Sequence, residues 1–146
     1  MNNSSLHDER TFYQTFLHDL SNCQNEVIIE SPFITTQRMK TFDRLFKNLL
    51  ERGVKIYIIT RDPREQSDGY EVQSEDAVRW CEAMGIQVLL CTGNHHRKLA
   101  ILDRKVLWEG SLNILSQTYS REIMRRIDGQ EPAMQMFNFL KLSNFL

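Results

Sequence analysis

A histidine and a lysine stand two positions apart at the start of an apolar segment that ends in an aspartate: His96-Arg97-Lys98-Leu-Ala-Ile-Leu-Asp103. In an extended strand alternate residues share a face, so His96 and Lys98 point the same way and His95 points the other way. The lysine supplies a fixed positive charge for a phosphoryl oxygen, and an imidazole can serve as nucleophile or proton donor near neutral pH. The spacing therefore predicts chemistry on a phosphate, and it disfavours a metal site shared by His95 and His96.

A second cluster follows seven residues after Asp103, in the sequence Gly110-Ser111-Leu112-Asn113. The glycine permits a sharp turn or the close approach of a ligand, and the hydroxyl and amide can hydrogen-bond further phosphoryl oxygens. Glu122 could orient the imidazole through its second ring nitrogen, in the way that the third member of a catalytic triad does. Each motif alone is weak, but their combination at this spacing is specific.

The combined pattern resembles the HKD signature of the phospholipase D superfamily, His96-x-Lys98-x4-Asp103 followed by Gly110-Ser111-x-Asn113. The EVIIESPFI and VKIYIITRDP segments and the order of strands and helices also resemble that family, so the similarity covers residues 10–127. The resemblance implies a metal-independent phosphodiesterase in which one histidine attacks phosphorus and a second protonates the leaving oxygen. It implies no cofactor and no bound metal.

Carried over by position, the resemblance assigns His96 as nucleophile or acid and Glu122 as its support. Asp103 matches a family position that more often ties down a turn than reacts. The full catalytic set implied is His96, Lys98, Asp103, Ser111, Asn113 and Glu122. The family needs two motifs per active site and this chain has one, so we expect a homodimer that joins two copies of His96 and Lys98 at a two-fold axis.

Three functions from different classes fit these residues. The leading prediction is a nuclease acting on DNA, with RNA as an alternative, because single-motif members of the family are mostly nucleases. The other two are a phospholipid phosphodiesterase or phosphatidyl transferase, and a non-catalytic phosphate- or nucleic-acid-binding dimerisation module. The segment 112–126 loosely resembles versions of this domain attached to bacterial helicases and defence systems, which suggests a larger DNA-processing partner.

Basic residues are concentrated in the segment that contains the motif, although the net charge of the 146-residue chain is −1. A local basic patch attracts anionic ligands whatever the total charge. For backbone phosphates the sequence predicts Arg97, Arg104, Lys105, Arg121, Arg125 and Arg126. Tyr119 is the candidate for stacking on a base, whereas Trp108 lies in an apolar strand and is predicted to be core.

The chain is predicted to be a single domain over residues 1–146, with a mixed, mostly parallel central sheet flanked by helices: the phospholipase D-like fold, one HKD half per chain. Predicted helices cover residues 7–22, 36–52 and 74–84. Predicted strands are VIIES, VKIYIIT, IQVLLC and a KLAILD–KVLWEG hairpin, after which residues 110–127 are predicted to be a loop entering a helix. The tail from Pro132 fits helix or strand equally well.

Three widely spaced cysteines make neither a disulfide framework nor a thiolate zinc site. The N-terminus lacks the apolar region of a signal peptide, and no segment is apolar for long enough to span a membrane. From the sequence we therefore expect a reduced, cytoplasmic protein without a membrane anchor.

Overall fold

One seven-stranded sheet runs through the computed structural model of the chain, which describes residues 3–66 and 70–146, with only the backbone of Tyr70. In chain order the elements are strand β1 (Asn3–Asp8), helix α1 (Phe12–Ser21), strand β2 (Glu26–Glu30), helices α2 (Thr36–Lys40) and α3 (Asp43–Glu51), strand β3 (Lys55–Arg61), helix α4 (Tyr70–Met84), strands β4 (Gln87–Cys91), β5 (Leu99–Leu102), β6 (Val106–Gly110) and β7 (Ile123–Asp128), and helix α5 (Gln130–Phe139). Short 3-10 turns cover Pro63–Glu65 and Leu142–Asn144.

The strand order across the sheet is β1-β7-β6-β5-β2-β3-β4. The pairs β2–β3 and β3–β4 are parallel, as the alternation of strands and helices in the first half predicts. The pairs β2–β5, β5–β6, β6–β7 and β1–β7 are antiparallel. The mixed α/β class is confirmed, but the prediction of a mostly parallel sheet is wrong, because the second half of the chain returns by hairpins rather than crossover helices.

Two elements on the edge of the sheet differ from the sequence prediction. Residues 123–128 form β7 rather than a helix, and Met124 is buried between exposed neighbours as a period of two requires. The arginines in this segment hide that alternation. The predicted first helix begins only at Phe12, since residues 3–8 form β1, a polar edge strand paired with β7.

The helical predictions hold with changed boundaries. The predicted helix over residues 36–52 is two helices, α2 and α3, with a break at Thr41 and Phe42. Ser74 was predicted to cap a helix, but it lies inside α4, where its hydroxyl donates to Oε1 of Gln66 at 2.9 Å. The tail, which the sequence left open, forms α5.

The sheet separates a larger and a smaller apolar core. Helices α1, α3 and α4 cover one face, with Phe16, Leu49 and Cys81 fully buried. Helix α5 covers the other face through Ala133 and Phe137. Burying each large apolar side chain stabilises the fold by about 1.5–3 kcal/mol, which fixes the strand ends against the helices.

Trp108 belongs to the larger core, as predicted. Its ring is fully buried and stands edge-on to Phe12, with centroids 5.0 Å apart. The indole nitrogen donates to Oδ2 of Asp19 at 2.8 Å, so its one polar group is satisfied. The residue is structural and not available for stacking on a ligand.

All three cysteines are free. Burial raises the pKa of the Cys23 and Cys81 thiols to about 12, which keeps both protonated and unreactive. Within the described residues no helix is both long and apolar enough to cross a membrane.

Candidate active site

The predicted catalytic residues other than Asp103 lie near one end of the sheet. Strand β5 begins directly after Lys98, β6 ends at Gly110 and β7 begins directly after Glu122. Because these three strands are antiparallel neighbours, the start of β5, the end of β6 and the start of β7 meet at the same edge. The parallel strands β2 and β3 also end there, at Glu30 and Arg61. Ligand sites of α/β sheets lie at such strand ends.

His96 and Lys98 contact each other directly. Nζ of Lys98 lies 2.8 Å from Nδ1 of His96 and donates to the His96 carbonyl oxygen, also at 2.8 Å. The side chains of His96 and Lys98 therefore lie on a common side, as predicted, although residues 94–98 form irregular chain before β5 rather than strand. His96 is exposed to solvent, so the cost of burying a charged pair in an apolar strand is not incurred.

The contact with Lys98 has a chemical consequence for the imidazole. When the ammonium donates to Nδ1, the neutral ring carries its proton on Nε2 and Nε2 has no lone pair for attack. A phosphoryl group that draws the ammonium away releases Nδ1. Substrate binding at Lys98 and readiness of the His96 ring are thus coupled in this arrangement.

The surroundings keep both groups less basic than usual. Partial burial lowers the pKa of His96, and the positive charges of Lys98 and Arg61 lower it further. Partial burial also lowers the pKa of Lys98, which the charge of Glu122 opposes. The neutral form of His96, which a nucleophile requires, is therefore favoured around neutral pH.

Ser111 and Glu122 form the opposite wall of the site. The hydroxyls of Ser111 and Ser120 lower the pKa of the Glu122 carboxyl, and Lys98 lowers it further, against the raising effect of burial. Oγ of Ser111 accepts a hydrogen bond from the Ile123 N–H at 3.0 Å. The predicted contact between Glu122 and the imidazole is not present within the described chain, because Lys98 occupies the Nδ1 side of His96.

Gly110 makes this wall possible through the close approach of the backbone of β7, whereas the sequence predicted a sharp turn or the approach of a ligand. A Cβ at this position would collide with the Ile123 carbonyl oxygen and would come within 2.8 Å of the Met124 Cα. The Gly110 N–H points at the Lys98 carbonyl oxygen at 3.4 Å, which links the two halves of the motif. Asn113 lies three residues further on, and its buried Oδ1 has no hydrogen-bond partner among the described residues.

Asp103 lies away from this site, at the far end of β5. Its carboxylate accepts hydrogen bonds from the backbone N–H groups of Gln24, Asn25 and Glu26 at 2.9, 2.8 and 2.9 Å. Its φ of +52° and that of Arg104, +54°, form the tight hairpin turn between β5 and β6. The geometry gives Asp103 a structural role, in line with the family pattern and not with direct catalysis.

The predicted basic residues divide between the two ends of the sheet. Arg104 is paired with Glu26 at 3.0 Å, and with Lys105 it belongs to the distant hairpin turn. Arg126 is paired with Asp19 at 2.7 Å. Arg104 and Lys105 are not brought to the site, because the hairpin carries its turn to the opposite end of the strands. Arg126 lies within β7, and its guanidinium is held by Asp19 of α1. Arg97 and Arg121 are adjacent in sequence to the predicted catalytic residues, and Arg125 lies on β7. Tyr119 lies in the loop before Glu122, and its side chain is 94% exposed.

A buried acid–base pair beneath His96 was missed by the sequence analysis. Nε2 of His95 lies 2.9 Å from Oε1 of Glu30, with the two side chains only 6% and 1% exposed. Nε of Arg97 approaches the same oxygen at 3.6 Å. A glutamate at the end of the otherwise apolar run VIIE was the available signal. The pair places a buried carboxylate against a second imidazole, that of the residue directly next to His96 along the chain.

The outer side of the same loop is held by Glu65. Its carboxylate accepts from the N–H groups of Gly93 at 2.9 Å and Asn94 at 3.3 Å, and the Gly93 N–H lowers the pKa of the carboxyl most. Arg61 donates to Oδ1 of Asn94 at 2.7 Å. Positive φ angles at Gly93 and Asn94 point both N–H groups toward the carboxylate, as in an anion-binding nest.

No group of three or more His, Cys, Asp or Glu side chains within the described ranges is arranged to hold a metal ion. The groups that the site brings together are an imidazole, an ammonium, a hydroxyl and a carboxylate.

A family model described as "Cardiolipin synthase, PLD-like domain" matches residues 16–140. The chain belongs to the phospholipase D-like family. A curated relative, Phospholipase D B of Dictyostelium discoideum, is 22% identical to this phospholipase D-like chain over 140 residues. That match covers 82% of this chain but only 11% of the relative, so the chain spans about a tenth of the relative's length.

Solved structures share the fold at low sequence identity. NucT from Helicobacter pylori matches with a TM-score of 0.73 and 19% identity, covering 97% of this phospholipase D-like chain and 94% of NucT. Nuc from Salmonella typhimurium, described as a phospholipase D family member, matches with a TM-score of 0.75 and 15% identity, covering 97% and 93%. The phosphatidylserine synthase of Haemophilus influenzae Rd KW20 has a TM-score of 0.75 and 16% identity, with coverage of 99% of this chain and 38% of the synthase.

Proposed function

We propose that this chain is a metal-independent phosphodiesterase that hydrolyses DNA through a phosphohistidine intermediate at a homodimer interface. The observation that carries the proposal is the exposed imidazole of His96 with Nζ of Lys98 2.8 Å away. A nucleophile whose pKa lies below its usual value, beside a cation for the phosphoryl oxygens, is what attack on a phosphodiester requires.

The reaction needs two histidines in different protonation states. The neutral His96 of one subunit attacks phosphorus to form a P–N bond, and the P–O bond to the leaving strand breaks. His96 of the partner subunit gives its proton to the leaving oxygen. Water then attacks phosphorus, the same partner histidine takes a proton from it, and the P–N bond breaks to release the phosphorylated strand.

The homodimer follows from the single motif in the chain. This chain covers more than nine-tenths of NucT and of Nuc but only 38% of the phosphatidylserine synthase, which supports a chain that contributes one half of a shared site. The lysine and arginine cations and the serine hydroxyls around the two-fold axis would then stabilise the negative charge that develops on the phosphoryl group.

The first experiment is cleavage of single- and double-stranded DNA in EDTA by the wild type, His96→Ala and the matched control His18→Ala, an exposed histidine of α1. We expect cutting that is insensitive to EDTA, lost at least about a thousandfold in His96→Ala, and retained in His18→Ala. Cutting that requires added Mg²⁺ would contradict the mechanism. Hydrolysis of phosphatidylcholine or cardiolipin vesicles without DNA cleavage would replace the nuclease by a lipid enzyme, and binding of DNA without cleavage of either substrate would leave a binding module.

A mixing experiment tests the shared site. Wild type and His96→Ala are mixed in equal amounts and allowed to exchange subunits. If one site needs both copies of His96, only wild-type homodimers are active and the activity falls to about a quarter of that of the wild type at the same total concentration. Independent subunits would retain about half.

A further inference from the structure

A cavity of about 600 Å³ lies beside the reacting imidazole, between the loop after β2, the end of β3 and the loop before Tyr119. Phe33 and Arg61 line the cavity and also face His96. The Phe33 and His96 rings stand edge to face with centroids 6.1 Å apart, and the Arg61 guanidinium lies 5.9 Å from the Phe33 ring centre. A ligand with its phosphate at His96 therefore has this cavity within reach.

The lining combines one aromatic ring with hydrogen-bonding side chains. Phe33 is half-buried, so part of its ring is accessible, and the amide of Gln37 and the hydroxyls of Ser116 and Thr118 provide donors and acceptors. A planar heteroaromatic ring with a polar edge satisfies both parts of this lining. An acyl chain would satisfy only the apolar part and would leave the amide and hydroxyl groups without partners.

A second, smaller cavity of about 200 Å³ adjoins the first. Thr35, Gln37 and Thr118 line both, and the second cavity extends to Tyr119, whose ring is 94% exposed. Because they share these walls, the two cavities together form a groove that extends from Phe33, the neighbour of His96, to Tyr119. A groove with successive aromatic side chains and polar walls suits a polymer of stacked bases rather than an isolated small molecule.

We propose that the cavity beside Phe33 binds the nucleobase adjacent to the scissile phosphate, with stacking on Phe33 and hydrogen bonds to Gln37 and Thr118. This inference rests on the proposed function, since it names the part of the nucleic acid that the same site holds. It makes the enzyme dependent on a base at one position while leaving the phosphate chemistry to His96 and Lys98.

The first test scans a single abasic residue along a DNA oligonucleotide. In the wild type, removing the base next to the scissile bond on one side should lower kcat/KM about tenfold, the typical worth of one stacked base. In Phe33→Leu or Gln37→Ala, kcat/KM on the natural substrate should exceed kcat/KM on the abasic substrate by less than about threefold, because the variant has already lost its contact with the base. The control Gln135→Ala, an exposed amide of α5 on the other face of the sheet, should keep the wild-type ratio. A wild-type enzyme that cuts abasic and natural substrates alike at every position would overturn the proposal.

The second test does not depend on cleavage. Binding of deoxycytidine 5′-phosphate and deoxyadenosine 5′-phosphate is compared with that of deoxyribose 5-phosphate by amide chemical shifts of the wild type. We expect the nucleotides to bind at least about fivefold more tightly and to shift the signals of Phe33 and Thr118. Equal affinity for all three would overturn the base site. A protein that prefers nucleotides but cuts no DNA would support the base site and refute the nuclease activity. A nuclease that cuts abasic and natural substrates equally would support the nuclease activity and refute the base site.

Discussion

Replacing Asp103 by asparagine should reduce the stability of the fold and leave the chemistry of the bound substrate intact. The carboxylate accepts three backbone N–H groups, from Gln24 through Oδ2 and from Asn25 and Glu26 through Oδ1. These bonds tie the hairpin turn between β5 and β6 to the chain entering β2, at the opposite end of β5 from His96.

The magnitude follows from the geometry. Asparagine keeps one oxygen for two of the donors but presents an NH₂ group to the Gln24 N–H, so one charge-assisted bond is lost and the other two become neutral. With about 1.5–3 kcal/mol for a bond to a charged group and about 1 kcal/mol for a neutral one, the lost bond and the two weakened bonds together should lower the free energy of unfolding by at least about 2.5 kcal/mol. Asp103→Ala should cost more, because it removes all three bonds and alanine also fits the φ of +52° poorly.

The assay is urea unfolding in parallel with kcat measured well below the unfolding midpoint. Asp103→Asn should lower the midpoint of urea unfolding by about 1 M or more at unchanged m-value, with kcat within about twofold of the wild type. Asp128→Asn, an exposed carboxylate at the end of β7, is the matched control and should change stability by less than about 0.5 kcal/mol. A hundredfold fall in kcat at unchanged unfolding free energy would refute the structural role and return Asp103 to the catalytic set.

Three further predictions concern the site itself. In Lys98→Met the pKa of His96, measured by imidazole NMR, should rise toward its ordinary value, because a positive charge that opposes protonation has been removed; an unchanged titration would show that Lys98 does not act on the ring. In Glu65→Gln the amide of Gly93 should exchange with solvent faster and kcat should fall severalfold. In the wild type, the protection factor of that amide should be full above the ordinary carboxyl pKa and should be lost as the pH falls through the lowered pKa of Glu65 in the folded state. A protection factor that stays constant over this range would contradict this anchor. In Gly110→Ala the free energy of unfolding should fall by at least about 3 kcal/mol, because the added Cβ collides with the backbone of β7. Thermal unfolding followed by circular dichroism measures this loss, and an unchanged Tm would contradict the collision.

The sequence predicted the buried strands and the helices that cover them most reliably where apolar side chains repeat without interruption. The runs VIIE and KIYII become β2 and β3, and the run LAIL becomes β5, because burial on both faces demands apolar residues at every position. Edge strands carry no such demand. The polar segment NSSLHD forms β1 only because β7 offers it backbone hydrogen bonds, and no local pattern in β1 announces that partner.

From the sequence alone, the candidate chemistry could be predicted: a histidine and a lysine two positions apart, with side chains that reach the same place. That prediction depends on residue type and on short spacing along one segment of the chain, which the local backbone transmits directly. Which of the candidate residues meet depends on the tertiary structure. Antiparallel pairing brings Ser111 and Glu122 to Lys98 and carries Arg104 and Lys105 to the far end of the sheet. The packing of β2 against β5 places Glu30 beneath His95, a contact between residues 65 positions apart that depends on how the strands pair and not on any local pattern.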